Sequence, residues 1–182
     1  MTTIQESWYY FAYGLNMNAA EMQRKCPRAK IVGIACLHDY RLAFYEHSVV
    51  WDSAMETVVP DPGSVVWGVL YELNAGQWEE LDNAEDARMD GSGAYFHYPV
   101  TVEITGQGPQ EATVYLKARW GSSGWPSTEY MDAVIQGAMD QGLPESYIRQ
   151  LESIDTKPAL YAVPKRPKGH PVFTGGCSGC EA

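Results

Sequence analysis

The 182-residue chain is predicted to be an α+β protein with a small, curled, mostly antiparallel sheet resembling a β-barrel, flanked by helices. Two observations lead to this fold class. Apolar and β-branched runs typical of strands dominate the first two thirds, and most helical patterns come later. The length and the hydrophobic fraction of 45% suit one domain with a sizeable core. We expect that domain over 1–156 and an extended, Pro/Gly-rich tail over 157–182.

The first predicted strand is an aromatic run over 8–13 that ends at Gly14. Glycine permits a close approach and an unusual φ, so backbone N–H groups after the strand can converge on an anion. Asn18 is placed as the N-cap of a following helix, with Glu21 three residues later as in a capping box. Taken alone, the pattern also fits a strand that ends in a tight turn.

Further strands are predicted where apolar residues run or alternate, at 31–37, 40–44, 49–51, 56–59, 65–71, 95–104 and 112–118. A turn is expected at 60–63, where proline fixes φ and glycine supplies a positive φ. Gly68, in the middle of a strand, indicates a bend or a close approach of another backbone. In the last strand Tyr115 is expected on the more polar face.

Three more helices are expected after the first one. Asn74 and Gln77 form a capping-box pattern at the start of a helix that runs to about residue 85. A second helix begins at Ser127 and runs to about residue 141. Pro144 begins the third, short helix.

The charge of the chain limits its partners. The net charge is −10, with no long run of Lys or Arg, so nucleic acid and anionic membrane surfaces are not expected partners. Neither an apolar stretch of membrane-spanning length nor a leader pattern is recognised, so a cytoplasmic location is expected.

Four cysteines allow more than one interpretation. Cys177 and Cys180 form a CxxC pair in the tail, which supplies only half of a four-thiolate zinc site. Cys26 and Cys36 do not supply the missing half. We favour an exposed tail with adventitious thiols, while a tail disulfide or a metal shared between subunits stays open.

No standard nucleophile, metal or nucleotide motif occurs in the sequence, and the histidines lack metal-ligand spacing, so neither a cofactor nor a metal is implied. The carboxylates at the end of the helix over 74–85 remain as candidates for chemistry. Each of them taken alone is more often part of a solvated face.

Several short segments do carry a resemblance, and they occur in collinear order over roughly 8–155. They are Tyr13-Gly14-Leu15-Asn16-Met17, Trp51 with Thr57-Val58, Val66-Trp67-Gly68-Val69, Leu81-Asp82-Asn83-Ala84-Glu85, Gly93-Ala94-Tyr95, Tyr115, residues 126–130, and Gly142-Leu143-Pro144 with Tyr147. Together these segments resemble the motifs of the gamma-glutamylcyclotransferase family, including its YGSN loop, its V-W-G-V strand and its L-D-x-x-E motif.

The resemblance implies a gamma-glutamylcyclotransferase-like fold and a reaction in which a γ-glutamyl amide or peptide closes to 5-oxoproline and releases an amine. Glu85 matches the acid/base of the family's L-D-x-x-E motif. The small-molecule γ-glutamyl substrate is expected to contact the loop over 13–17 and later tyrosines, that is Tyr13, Gly14, Leu15, Asn16, Met17, Tyr95, Tyr115 and Tyr130. A homodimer is compatible with this resemblance.

Departures from the family pattern concern substrate identity more than reaction type. Leu15 stands where the family usually has Ser, 52–54 replaces His-Gly-Gly, and Glu56 replaces Ala. Three hypotheses follow: a cyclotransferase for γ-glutamyl peptides or amino-acid conjugates, one for γ-glutamyl amines or glutamyl-tagged metabolites, and a non-catalytic module that keeps the cavity. Glu85 argues against the last hypothesis.

Overall fold

Five strands form a closed barrel in the computed structural model, which describes residues 8–165. They are β1 (Trp8–Ala12), β2 (Lys30–Ser48), β3 (Ser53–Leu73), β4 (Tyr95–Ile104) and β5 (Gly108–Lys117). Their order around the barrel is β1-β3-β2-β4-β5. Four of the pairings are antiparallel, and a parallel pairing of β1 with β5 closes the barrel. The predicted α+β class with a curled, mostly antiparallel sheet is confirmed.

The long hairpin of β2 and β3 corrects several predicted boundaries. The separate strands expected at 31–37 and 40–44 are parts of β2, and those at 56–59 and 65–71 are parts of β3. The strand predicted at 49–51 is wrong, because these residues form the turn between β2 and β3.

The turn predicted at 60–63 lies inside β3, as a bulge. The register passes from His38 opposite Val65 to Tyr40 opposite Pro60, so Asp39 faces the extra residues of β3. Asp39 has a φ of 63°, and its carboxylate accepts a hydrogen bond of 2.8 Å from the backbone N–H of Gly63. Proline and glycine therefore interrupt the ladder here without reversing the chain.

Within residues 8–165, four helices surround the barrel: α1 (Ala19–Lys25), α2 (Ala75–Glu85), α3 (Thr128–Asp140) and α4 (Glu145–Glu152). Asn18 caps α1 as predicted, because its side chain accepts from the backbone N–H of Ala20 and Glu21. The capping box of Asn74 and Gln77 at the start of α2 is present. The Ser127 side chain accepts from the N–H of Tyr130 and so caps α3.

The core lies inside the barrel and beneath the helices. Phe11, Leu70 and Leu81 are completely buried there. A Cβ atom added to Gly68 would overlap the carbonyl oxygen of Ala12 and the ring of Phe11, so the predicted close approach at this glycine is confirmed. None of the helices within residues 8–165 combines the length and the apolar character that crossing a membrane requires.

Residues 157–165, the first part of the predicted tail, lie against the turn between β2 and β3. The backbone N–H of Leu160 donates to the carboxylate of Asp52 at 2.7 Å, and the Tyr161 hydroxyl donates to the carbonyl of Val49 at 2.7 Å. The N–H of Lys165 donates to the carbonyl of Val50 at 2.6 Å. The predictions about Cys177 and Cys180 lie outside the described residues.

Candidate active site

A cavity of about 370 Å³ opens where α1, α2 and the turn between β2 and β3 meet. Four of the residues predicted for the site line it: Leu15, Glu85, Tyr95 and Tyr130. The remaining wall comes from parts of the chain that are far apart in sequence, namely the end of α1, residues 48–56, and the segment that follows α2. The barrel therefore brings together segments that the sequence shows only one at a time.

Glu85 is the last residue of α2, and its carboxylate is held from two directions. One carboxylate oxygen, Oε1, accepts hydrogen bonds from Asn16 Nδ2 at 2.8 Å and from Lys25 Nζ at 2.6 Å. The side chain keeps 17% of its surface exposed, so the carboxylate is partly desolvated but reachable from the cavity. A carboxylate fixed in this way can exchange a proton with a bound ligand without a large change of rotamer.

Lys25 is a site residue that sequence reasoning missed. Its ammonium bridges Glu85 Oε1 and Asn16 Oδ1, the latter at 2.7 Å, and only 8% of its side chain is exposed. Its place at the end of α1 gave no specific signal, because basic residues are common in the last turn of a helix. The ion pair forms only because the barrel places α1 beside α2.

The loop over 13–17, which follows β1, contacts Glu85 and Lys25 through Asn16 and approaches Glu56 at Gly14. Leu15 to Met17 form a short 3-10 turn, in which the N–H of Met17 donates to the carbonyl of Gly14. Gly14 has a φ of −131°, so the unusual φ expected for it is wrong. An added Cβ would meet the Glu56 side chain, 2.6 Å from its Oε1, so glycine at this position lets Glu56 lie against the loop.

Glu56 is the second site residue missed from the sequence, where it was noted only as a departure from the family pattern. It lies on β3 and lines the cavity together with Glu85. The hydroxyl of Tyr95 donates to the backbone carbonyl of Glu56 at 3.0 Å. With Asp86, which also lines it, three carboxylates share this cavity.

Tyrosine rings form much of the wall behind these carboxylates. Burial raises the pKa of Tyr13, Tyr95 and Tyr130 well above the ordinary value, and the negative charge of Glu56 raises each of them further. These hydroxyls therefore remain protonated in the folded protein at neutral pH. The Tyr130 hydroxyl is buried, and its closeness to the Glu56 side chain adds to the rise of the Tyr130 pKa.

The other predicted site residues lie behind the cavity wall. Asn16 reaches Glu85 but does not line the cavity, and Tyr13 donates its hydroxyl to the carbonyl of Tyr115. Met17 is completely buried in the core. The Tyr115 hydroxyl donates to Asp82 at 2.6 Å, so this polar group faces α2, and the ring is buried.

Two other features lie apart from this cavity. A cavity of about 480 Å³ between the β2–β3 hairpin and α4 contains neither Glu85 nor the loop over 13–17. Cys36, His38 and Glu103 bring three ligand atoms within 4.8 Å of one another, an arrangement that could hold a metal ion and that the histidine spacing did not reveal. None of these three residues lines the cavity beside Glu85.

The chain is similar in sequence and in fold to known proteins. Residues 65–151 match the AIG2-like family. Gamma-glutamylcyclotransferase from Bos taurus is 32% identical over 156 residues, which cover 82% of this chain and 80% of the relative. The human protein of that name is 31% identical over 157 residues, which cover 83% of this chain and 80% of the relative. A solved structure of a gamma-glutamyl cyclotransferase superposes with a TM-score of 0.80 at 29% identity, covering 87% of this chain and 94% of the other.

Proposed function

The chain belongs to the gamma-glutamylcyclotransferase family, and from this premise we propose that it converts a γ-glutamyl amide or peptide into 5-oxoproline and a free amine. The observation that supports the proposal most directly is the Glu85 carboxylate at the cavity wall, fixed at 2.8 Å by Asn16 and at 2.6 Å by Lys25. A carboxylate held at one place beside a ligand cavity is suited to proton transfer.

In the first half of the proposed reaction, the α-nitrogen of the γ-glutamyl group attacks its own γ-carbonyl carbon. The α-amino group has a pKa of roughly 8, so most of it is protonated at neutral pH and must lose a proton before it attacks. Glu85 accepts this proton. Because nucleophile and carbonyl belong to one molecule, holding the chain in a curled conformation supplies much of the rate.

In the second half, the carbon–nitrogen bond to the leaving amine breaks, and the leaving nitrogen takes the proton from Glu85. The attacking nitrogen also gives up a second proton, because 5-oxoproline keeps a single N–H, and this proton ends on the departing amine, which leaves as an ammonium ion. The carboxylate is thereby restored to its starting charge, and no external acid is consumed. The N–H groups of Leu15 and Asn16 receive no partner from their own 3-10 turn, so they are candidates to bind the α-carboxylate or the oxygen of the tetrahedral intermediate. Asn16 connects this loop to Glu85.

The Glu85→Gln variant tests this proposal. Glutamine keeps the shape and a hydrogen-bonding oxygen but cannot carry the proton, so 5-oxoproline release should fall by about 10²–10⁴. Release is measured on γ-glutamyl peptides and γ-glutamyl amines, with folding followed by circular dichroism. The matched control is Glu79→Gln, an exposed residue of the same helix, which should keep the rate. A folded Glu85→Gln protein with wild-type turnover would remove Glu85 from the mechanism.

A further inference from the structure

Three side chains on the outer face of the barrel bring a sulfur, a nitrogen and an oxygen atom together. Cys36 and His38 lie two residues apart on β2, so they share the face opposite to that of Leu37, which belongs to the core. Glu103 of β4 is directly opposite Cys36 in the register. The ligand atoms of the three residues all lie within 4.8 Å of one another. The pairing of β2 with β4 therefore assembles this Cys–His–Glu cluster.

The spacing within the cluster matches a tetrahedral zinc site. The Sγ atom of Cys36 lies 3.4 Å from Nε2 of His38, and the same nitrogen lies 3.2 Å from Oε2 of Glu103. Zinc bonds of about 2.3 Å to sulfur and about 2.0–2.2 Å to nitrogen and oxygen, at tetrahedral angles, separate the ligand atoms by roughly 3.4–3.6 Å. Both observed distances fall within about 0.2 Å of this range. The distance between Cys36 and Glu103 can adjust, because the Glu103 side chain is 60% exposed.

Hydrogen bonds alone satisfy this cluster incompletely. The Nε2 atom of His38 has both the sulfur and the carboxylate oxygen as neighbours, yet it carries at most one hydrogen. When that hydrogen points to Glu103, the nitrogen has no lone pair to offer the thiol. When it is absent, the nitrogen lone pair faces the carboxylate. A divalent cation accepts a lone pair from all three atoms at once, and so satisfies them together.

The charge and the exposure of the cluster also favour a bound cation. Among the ion pairs within residues 8–165, the partner of Glu103 is His38, and no Lys or Arg competes for its carboxylate. The net charge of −10 adds a general attraction for cations. Cys36 is buried, whereas the side chains of His38 and Glu103 are 55% and 60% exposed. The cluster is therefore closed on the sulfur side and open to water on the other.

We propose that Cys36, His38 and Glu103 bind a divalent cation with the ligand preference of Zn²⁺, with water as the fourth ligand. On binding, the thiol releases its proton to solvent, and the neutral imidazole and one carboxylate oxygen donate their lone pairs. A thiolate with an imidazole selects zinc over magnesium and calcium, which prefer oxygen ligands. None of the three residues lines the cavity beside Glu85, so the inference is independent of the proposed function.

The expected consequence of metal binding is a firmer connection between β2 and β4. Their pairing joins only two residue pairs, Ala35 with Ile104 and Cys36 with Glu103, whereas β4 and β5 pair over ten. An ion held by both strands stabilises the folded state over the unfolded chain, in which the three ligands are far apart. The melting temperature should therefore rise with the Zn²⁺ concentration once it exceeds the Kd.

The test measures Zn²⁺ binding by the full-length protein carrying Cys177→Ser and Cys180→Ser, which removes the thiols of the CxxC pair. Isothermal titration should give one Zn²⁺ per chain, and Co²⁺ should produce the charge-transfer absorption of a cobalt–thiolate bond. In this parent protein, His38→Gln and Glu103→Gln should each weaken Zn²⁺ binding by about tenfold or more, and Cys36→Ser should abolish the charge-transfer absorption.

His47→Gln is the matched control. The Nε2 atom of His47 also lies 3.2 Å from a carboxylate, that of Asp52, but within residues 8–165 this pair is not part of a three-ligand cluster. The control should keep the Zn²⁺ affinity, the Co²⁺ absorption and the rise in melting temperature. The inference is overturned if the parent protein does not bind Zn²⁺, or if His38→Gln binds it as tightly as His47→Gln. Because His38 is exposed, its variant decides even if Cys36→Ser does not fold.

Discussion

Asn16 connects the loop after β1 to helices α1 and α2 through hydrogen bonds to Lys25 and Glu85. Its amide nitrogen donates to Tyr10 and Glu85 at 2.9 and 2.8 Å, and its amide oxygen accepts from Lys25 at 2.7 Å. Both amide hydrogens and the oxygen are thus engaged, which fixes the orientation of the side chain. Its backbone carbonyl accepts from the Tyr71 hydroxyl at 3.0 Å, so the barrel wall holds the main chain as well.

Leu15 gives a prediction at the residue scale. It is 5% exposed, so its side chain is part of the core even though it borders the cavity. Leu15→Ala should lower the free energy of unfolding by about 2–5 kcal/mol, because buried apolar contacts are lost and a void remains. Chemical denaturation measures the change, and Val49→Ala, at an exposed turn position, is the control. A neutral effect would show that the side chain packs against little in solution.

Helix α2 acts as a unit that carries Glu85 to the cavity. Its first turn is fixed by the reciprocal bonds of Asn74 and Gln77, both near 3 Å. Trp78 and Leu81 bury one face against the barrel, and Asp86 ends the helix in the left-handed conformation with a φ of 51°. Because Glu85 is the last helical residue, fraying at this end would move the carboxylate directly.

Asn74→Ala tests this element. Loss of the capping box should destabilise the protein by about 1 kcal/mol, since the backbone N–H of Gln77 loses its acceptor. Asn83→Ala is the matched control, because Asn83 is exposed on the same helix and alanine is the better helix former. Urea unfolding of both variants gives the comparison. Equal stability in the two would mean that packing of Trp78 and Leu81, and not the cap, determines where α2 begins.

At the scale of the whole molecule, the burial of tyrosines makes the stability of the fold depend on pH in the alkaline range. Burial raises the pKa of Tyr71 to about 12 from its ordinary 10.0. It also raises the pKa of Tyr10 and Tyr95, where the charges of Glu85 and Glu56 respectively add to the effect. The unfolded chain therefore loses these protons first as the pH rises.

Stability should accordingly be constant with respect to these groups below about pH 10 and should fall as the pH rises towards about 12. The free energy of unfolding across this interval, measured together with tyrosinate absorbance, checks the prediction. Tyr147→Phe should weaken the fall, because burial raises the pKa of Tyr147 and phenylalanine has no proton to lose. Full ionisation of the tyrosines in an intact fold would contradict the prediction.

The segment over 157–165 gives the second prediction at this scale. Truncation after Thr156 should leave a folded domain with its chemistry largely intact, because the closed barrel and all four helices precede the cut. It removes the bonds to Val49, Val50 and Asp52, however, so we expect a rise in KM through the cavity wall at residues 48–56.

Truncation after Lys165 is the matched control for that experiment, because it keeps these bonds. Both proteins are compared with the full chain in kcat, KM and melting temperature on one γ-glutamyl substrate. A change in kcat/KM above about tenfold at an unchanged melting temperature would place the removed residues in the active site and reject the prediction for that cut.

Local chemistry determined a large part of this structure in advance. The caps at Asn18, Asn74 and Ser127 were predictable because a side-chain acceptor meets backbone N–H groups two or three residues away. The fold class followed from the order of strand and helix patterns. The position of Glu85 at a cavity was expected from the order of the motifs. Each of these features depends on residues that are neighbours in sequence or on a collinear resemblance.

Only the tertiary structure decided which charges meet. Lys25 and Glu85 are sixty residues apart, and their 2.6 Å contact exists because the closed barrel sets α1 against α2. Gly14 and Glu56 face each other for the same kind of reason, so the close approach at this glycine involves a distant side chain and not a positive φ. Sequence patterns report which residues share a face of one element. Contacts between elements depend on how the barrel closes, and that determines the electrostatics of the cavity.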